Sequence, residues 1–257
     1  MNEIEPLVLF SFSTLLDAIF IFLRVLGMML VVPGFGASSI PVRVRIGISI
    51  AISMLLLPLL KIQSPQEPNV LSYMNLILTE TMAGLFIGLM LRIMVLSLQT
   101  AGTIAAQSVS FSHMLGVPSA EPMPAIGHFL MLGGIALLMS LGFHVKIVNM
   151  LVISYEVMPV GQLLANVAVH NIGVTQVSNA FTFAFGLAAP YLVVSLLYNV
   201  VMGAVNKAMP QLMVYFVGAP GLIFVGLIVV FLSSPNLFEN WVQAVSMILK
   251  FDLGIRH

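Results

Sequence analysis

The chain has 257 residues, of which 60% are hydrophobic and 7% charged, with a mean hydropathy of +1.12. A soluble domain carries roughly 25% charged residues, so this composition excludes an ordinary water-soluble globule and points to a polytopic, membrane-associated protein. Nine Lys and Arg balance nine Asp and Glu, which leaves no basic field for nucleic acid, and the absence of cysteine excludes disulfides, thiolate metal sites and cysteine nucleophiles.

The N-terminus, MNEIEPLV, is acidic, whereas a cleavable signal peptide has a basic start; the first apolar run is therefore expected to be retained. That run covers residues 7–32. The second, 46–60, falls short of the roughly 20 residues that a helix needs to cross about 30 Å of hydrocarbon, unless it starts near Val42 and takes Arg43 and Arg45 into its first turn. Runs at 74–98, 126–153, 181–202 and 212–232 are long enough. Beyond Pro235 an asparagine suited to capping opens a stretch in which Phe238, Trp241, Val242, Val245 and Leu249 recur at helical spacing. A separate short amphipathic C-terminal helix is expected there.

The connections carry Gly and Pro (32–45), polar residues and prolines (61–69), a partly apolar stretch (156–171), and a tight hairpin (206–211) in which Pro210 stops the helix. The expected fold is all-α: about six long apolar helices or hairpins, a re-entrant loop, and the C-terminal helix. Counting Lys and Arg in short loops puts both ends outside, with Arg43, Arg45 and Lys207 cytoplasmic and Lys61, Lys250 and Arg256 opposite.

Five charges lie in or near these runs. A charge at the bilayer centre costs about 2.5–3.5 kcal/mol, so their number implies helices that face protein or water as well as lipid. Asp17 and Arg24 are two turns apart on one face, about 10 Å along the axis, too far for a simple pair. Glu80 and Arg92 point about 120° apart around their helix. Each of these four is expected to find a partner elsewhere, within the chain or on another subunit; Lys146 is the fifth. Glu80, Gly84 and Gly88 fall on one face at four-residue steps, where the glycines admit a close neighbouring helix. Packing within the chain and a subunit interface both fit that pattern.

Residues 105–127, AAQSVSFSHMLGVPSAEPMPAIG, are too polar to span a bilayer and too apolar for a water-facing loop. They contain no Lys or Arg. Phe111, Met114, Leu115 and Met123 supply adaptable apolar volume, Gly116, Pro118 and Pro122 break regular structure, and Glu121 is the lone carboxylate. Such backbone is tolerated at membrane depth where it lines a cavity; a plain interfacial loop fits as well. The five histidines lack metal-ligand spacing, and no nucleophile elbow or phosphate loop is present. No catalytic residue, metal or cofactor is expected.

Four phrases in order, SIPVRVRIGISIAI (39–52), ETMAGLFIGLMLRI (80–93), TAG (100–102) and above all NKAMPQLMVYFVGAP (206–220), resemble the FliR family. These are the R subunits of the flagellar type III export gate, with relatives in injectisomes. The resemblance implies a single export-gate subunit over 1–257. Its front part, 1–205, would be similar to a P subunit, and its final hairpin, about 180–232, similar to a Q subunit, with 206–257 holding the second half of that hairpin and the C-terminal helix. It implies a non-enzymatic role in a hetero-oligomer with FliP and FliQ type subunits, alongside FlhB and FlhA. The assembly would sit at the inner membrane, in the basal body, conducting unfolded flagellar proteins. Residues 103–124 would then plug the channel, and Asn206, Lys207, Met209, Pro210 and Gln211 would form a hairpin at the cytoplasmic entrance. The alternative is a self-contained transporter of ions or small solutes, with Asp17, Glu80 and Arg92 as ion-coupling groups and 105–127 as its gate.

Overall fold

A computed structural model describes residues 4–36, 40–60, 69–109, 125–162, 167–208 and 214–249. The described residues form seven helices and no strand: α1 (Ile4–Val31), α2 (Val42–Leu56), α3 (Val70–Val109), α4 (Ala125–Ser140), α5 (Phe143–Val157), α6 (Val167–Ala208) and α7 (Val214–Leu249). The all-α expectation holds, and α3, α6 and α7 run longer than the apolar stretches that announce them.

The differences have local causes. The fourth apolar run is two helices, α4 and α5, separated at Gly142, whose φ of 75° is left-handed and ends regular winding. Helix α2 does start at Val42, yet its 15 residues reach only about 22 Å. Residues 103–109, expected at the start of the plug loop, are the last turns of α3.

The C-terminal stretch is helical and amphipathic, with Trp241, Val245 and Leu249 buried and Glu239, Asn240 and Met247 exposed. It is not a separate helix: α7 runs through Pro235 without a break. A proline cannot donate to the carbonyl four residues back, here that of Phe231. The hydroxyl of Ser234 donates to that oxygen at 3.0 Å, supplying the missing partner.

Among the described residues, three segments are long and apolar enough to cross a membrane: Thr14–Val31, Val70–Gln107 and Asn171–Val205. The bent pair Gly127–Ser140 and Phe143–Val157 makes a fourth if it counts as one. Six spans were expected.

The chain divides into two compact units. One gathers 1–93, 141–177 and 246–257; the other gathers 94–140 and 178–245. In the first, α1 packs on α2, and Phe20 stacks on Tyr73 with ring centroids 6.4 Å apart. Ile21, Val25, Met28, Ile87, Ile147 and Leu151 fill its core. In the second, Trp241 is fully buried and its Nε1 donates to the Met94 carbonyl at 2.9 Å. Gly134 leaves room for the indole, since a Cβ there would lie 3.2 Å from its ring and run into Leu98. The hydroxyls of Tyr191 and Ser233 meet at 3.0 Å.

Candidate functional site: a buried polar junction in the first unit

Close approach of α1 and α3 comes first. A Cβ on Gly84 would run into the Arg24 carbonyl oxygen, one on Gly88 would lie 2.7 Å from that of Met28, and one on Gly27 would lie 2.7 Å from that of Thr81. Three glycines thus let the two backbones touch. Glu80, one turn before Gly84, faces α1 at the level where Arg24 projects.

Arg24 and Glu80 form a bidentate pair. Nε donates to Oε2 at 2.7 Å and Nη2 to Oε1 at 3.0 Å. Arg24 retains 1% exposure and Glu80 none. The remaining valences are taken up by α5 and the turn after it. Nη2 also donates to the Met158 carbonyl at 3.0 Å, and Nη1 to Ser154 Oγ at 3.3 Å. Ser154 can accept because its own proton goes to the Leu151 carbonyl at 2.6 Å. The Tyr155 ring lies under the guanidinium, 3.8 Å from Cζ to the centroid, a cation–π contact.

The turn closes the junction from the other side. Gly161 has a φ of 77°, in the left-handed region, and its N–H donates to Glu80 Oε1 at 3.3 Å. Two charges that would be costly alone are therefore paired, stacked and hydrogen-bonded. The arrangement ties α1, α3, α5 and the 158–162 turn together. It offers no open coordination position, and both carboxylate oxygens of Glu80 are engaged, so Glu80 is not poised to bind a transported ion.

The other residues singled out in the sequence are not gathered here. Asp17 is half-buried on α1, Arg92 is exposed on α3, and Lys207 is exposed near the end of α6, which also contains Asn206. Phe111, Met114, Leu115, Gly116, Pro118, Glu121, Pro122 and Met123 lie outside the described residues, as do Met209, Pro210 and Gln211. Among the described residues no group of three His, Asp or Glu could hold a metal ion.

Sequence reasoning missed Ser154, Tyr155, Met158 and Gly161. Their stretch, SYEVMPVG, overlaps the partly apolar connection expected at 156–171. The one available signal was the unmet need of Arg24 for acceptors.

Residues 15–248 match the family described as bacterial export proteins, family 1. The chain belongs to that family. It is similar to the flagellar biosynthetic protein FliR of Caulobacter vibrioides, 30% identical over 227 residues, covering 87% of this chain and 90% of that one. It is also similar to FliR of Aquifex aeolicus, 25% identical over 215 residues and 83% of each chain, and to FliR of Bacillus subtilis, 25% identical over 242 residues, 89% of this chain and 93% of that one. Residues 15–248 include the glycine-lined α1–α3 contact and the α5 turn, so the junction lies inside the part of the chain that matches this family. The transporter alternative finds no support in these relatives.

Proposed function

We propose that this family 1 export protein is a component of the flagellar protein export apparatus, placed in the bacterial inner membrane as one subunit of a gated conduit for unfolded flagellar proteins. The observation that carries this reading is the near full-length similarity to proteins named for flagellar biosynthesis, down to 83% coverage on either side. Helix length supports it. The 40 residues of α3 and the 42 of α6 would extend about 60 Å each, twice the hydrocarbon thickness of a bilayer. Helices of that length suit a subunit that stands partly clear of lipid against other proteins.

In this reading FliP and FliQ type subunits surround the chain, with FlhB and FlhA nearby. The segment joining α3 to α4 closes the lumen at rest. Its lack of Lys and Arg and its supply of Phe111, Met114, Leu115 and Met123 suit a soft apolar seal that does not trap a passing chain. Residues 206–211 sit at the cytoplasmic entrance.

Deletion of the gene tests the reading. Flagellar filament protein should vanish from the medium while accumulating normally inside the cell, and a plasmid copy should restore secretion. Undiminished secretion in the deletion strain would refute it.

A further inference from the structure

We propose that Pro190 of α6 and Pro235 of α7 form one hinge, on which the far half of the α6–α7 pair swings as an arm. The hinge goes beyond the functional reading above and does not depend on it.

A helix resists bending because backbone hydrogen bonds close every turn. A proline removes one of them, and its ring pushes on the carbonyl four residues back. In two packed helices a single break changes little, since the intact neighbour acts as a splint. Both helices must weaken at one level, and here they do. Tyr191 of α6 meets Ser233 of α7 at 3.0 Å. Pro190 directly precedes Tyr191, and Pro235 follows Ser233 by two residues. The two breaks therefore fall within about one helical turn, ~5.4 Å, of each other.

The groups at this level suit a joint more than a fixed bend. The carbonyl that Pro190 leaves without its usual N–H is that of Gly186. That glycine is exposed, and no atom lies within 4 Å of the place a Cβ would take, so its displacement meets no neighbour. At Pro235 the Ser234 hydroxyl holds the Phe231 carbonyl, and a hydroxyl can rotate to keep such a partner as the helix angle changes. Ser233 gives its own proton to the Val229 carbonyl, so Tyr191 donates to Ser233. That bond pins the two helices together at the pivot while their shared angle stays free.

Packing differs on the two sides of the pivot. On one side Trp241 of α7 is buried, bonded to Met94 of α3 and seated against Gly134 of α4. Ala180, Ala184 and Ala188 of α6 are buried there too. On the other side, only Ser195 and Met202 are buried between Leu192 and Val205 of α6. Leu196, Phe224 and Phe231 are 66%, 65% and 77% exposed. One half is anchored to α3 and α4. The other is an arm with little of its surface covered, about 26 Å long from Tyr191 to the end of α6 at Ala208. In the functional reading its tip, residues 206–211, sits at the cytoplasmic entrance, which a swing of the arm would widen or narrow; this use of the hinge alone rests on that reading.

The chain contains no cysteine, so pairs of spin labels can be attached at introduced cysteines in the full chain in detergent. Phe129→Cys on α4 with Leu196→Cys spans the hinge, and Leu196→Cys with Phe224→Cys lies within the arm; all three positions are exposed. Double electron–electron resonance should give a distance distribution about twice as broad across the hinge as within the arm, or broader. The double variant Pro190→Ala with Pro235→Ala should narrow the first distribution to the width of the second and leave the second unchanged. Unaltered Trp241 emission identifies the variants that keep the fold. A distribution across the hinge as narrow as that within the arm, or one that stays broad in the folded double variant, would overturn the hinge and leave the functional reading standing.

Discussion

Arg24 of α1 and Glu80 of α3 meet 56 positions apart in a two-pronged ion pair, at 2.7 and 3.0 Å, with each side chain about 1% exposed. Burial of two charges gains little net stability over well-packed apolar residues, because desolvation offsets their attraction. Loss of one partner is another matter, since the survivor is left charged and dry. The pair therefore specifies which helices meet, and in what register, more than it adds to stability. Ser154, Tyr155, the Met158 carbonyl and the Gly161 N–H extend that specification to α5 and its turn.

Arg24→Ala and Glu80→Ala should each destabilise the protein by about 3–5 kcal/mol. The double variant Arg24→Met with Glu80→Leu should be more stable than either. Thermal midpoints of the three variants in detergent decide this. A double variant that loses the sum of the single losses would show that the two side chains act independently.

Gly84→Val should separate α1 from α3, because its side chain must occupy the place of the Arg24 carbonyl. Overpacking of this kind costs about 1–3 kcal/mol, and the displaced helices would also stretch the ion pair. Gly47→Ala, where no atom lies within 4 Å of the added Cβ, should leave the protein unchanged. Folded yield after size-exclusion chromatography compares the two. Equal yields would mean that the glycine contact is not needed.

Much of the fold was legible in the sequence, for identifiable reasons. Apolar runs announce helices, and Glu80, Gly84 and Gly88 announced a face that admits a close helix. The identity of that neighbour was hidden, because a four-residue stripe of small residues says nothing about what it meets. The break at Gly142 was hidden too: it lies in a run apolar on both sides, and composition does not reveal a left-handed φ. Pro235 misled in the opposite direction. An asparagine suited to capping just beyond it suggests a new helix, and the hydroxyl of Ser234, which takes over the orphaned Phe231 carbonyl, is invisible to periodicity. Gly161 acts through its backbone N–H, which every non-proline residue carries, so residue type alone could not mark it.

Trp241 is the single tryptophan of the chain and is fully buried, with its indole N–H bonded to the Met94 carbonyl. Its fluorescence should be blue-shifted and resist quenching by iodide in detergent. Trp241→Phe keeps most of the apolar volume and loses the hydrogen bond, worth about 0.5–1.5 kcal/mol, so the thermal midpoint should fall modestly. Red-shifted, readily quenched emission from the folded protein would contradict the packing of the second unit.

Replacement of residues 111–123 by a Gly/Ser linker of equal length should make the membrane leak ions or small solutes when the assembly is present. Growth on medium with an otherwise excluded toxic solute provides the readout. An unchanged seal would sink the plug role of this segment.

The most direct measurement is affinity isolation of the tagged chain from its native membranes in gentle detergent, with mass spectrometry of what accompanies it. Stable recovery of FliP and FliQ type subunits is the result expected of an export-gate component. Recovery of the chain alone, or only with copies of itself, would contradict that assignment.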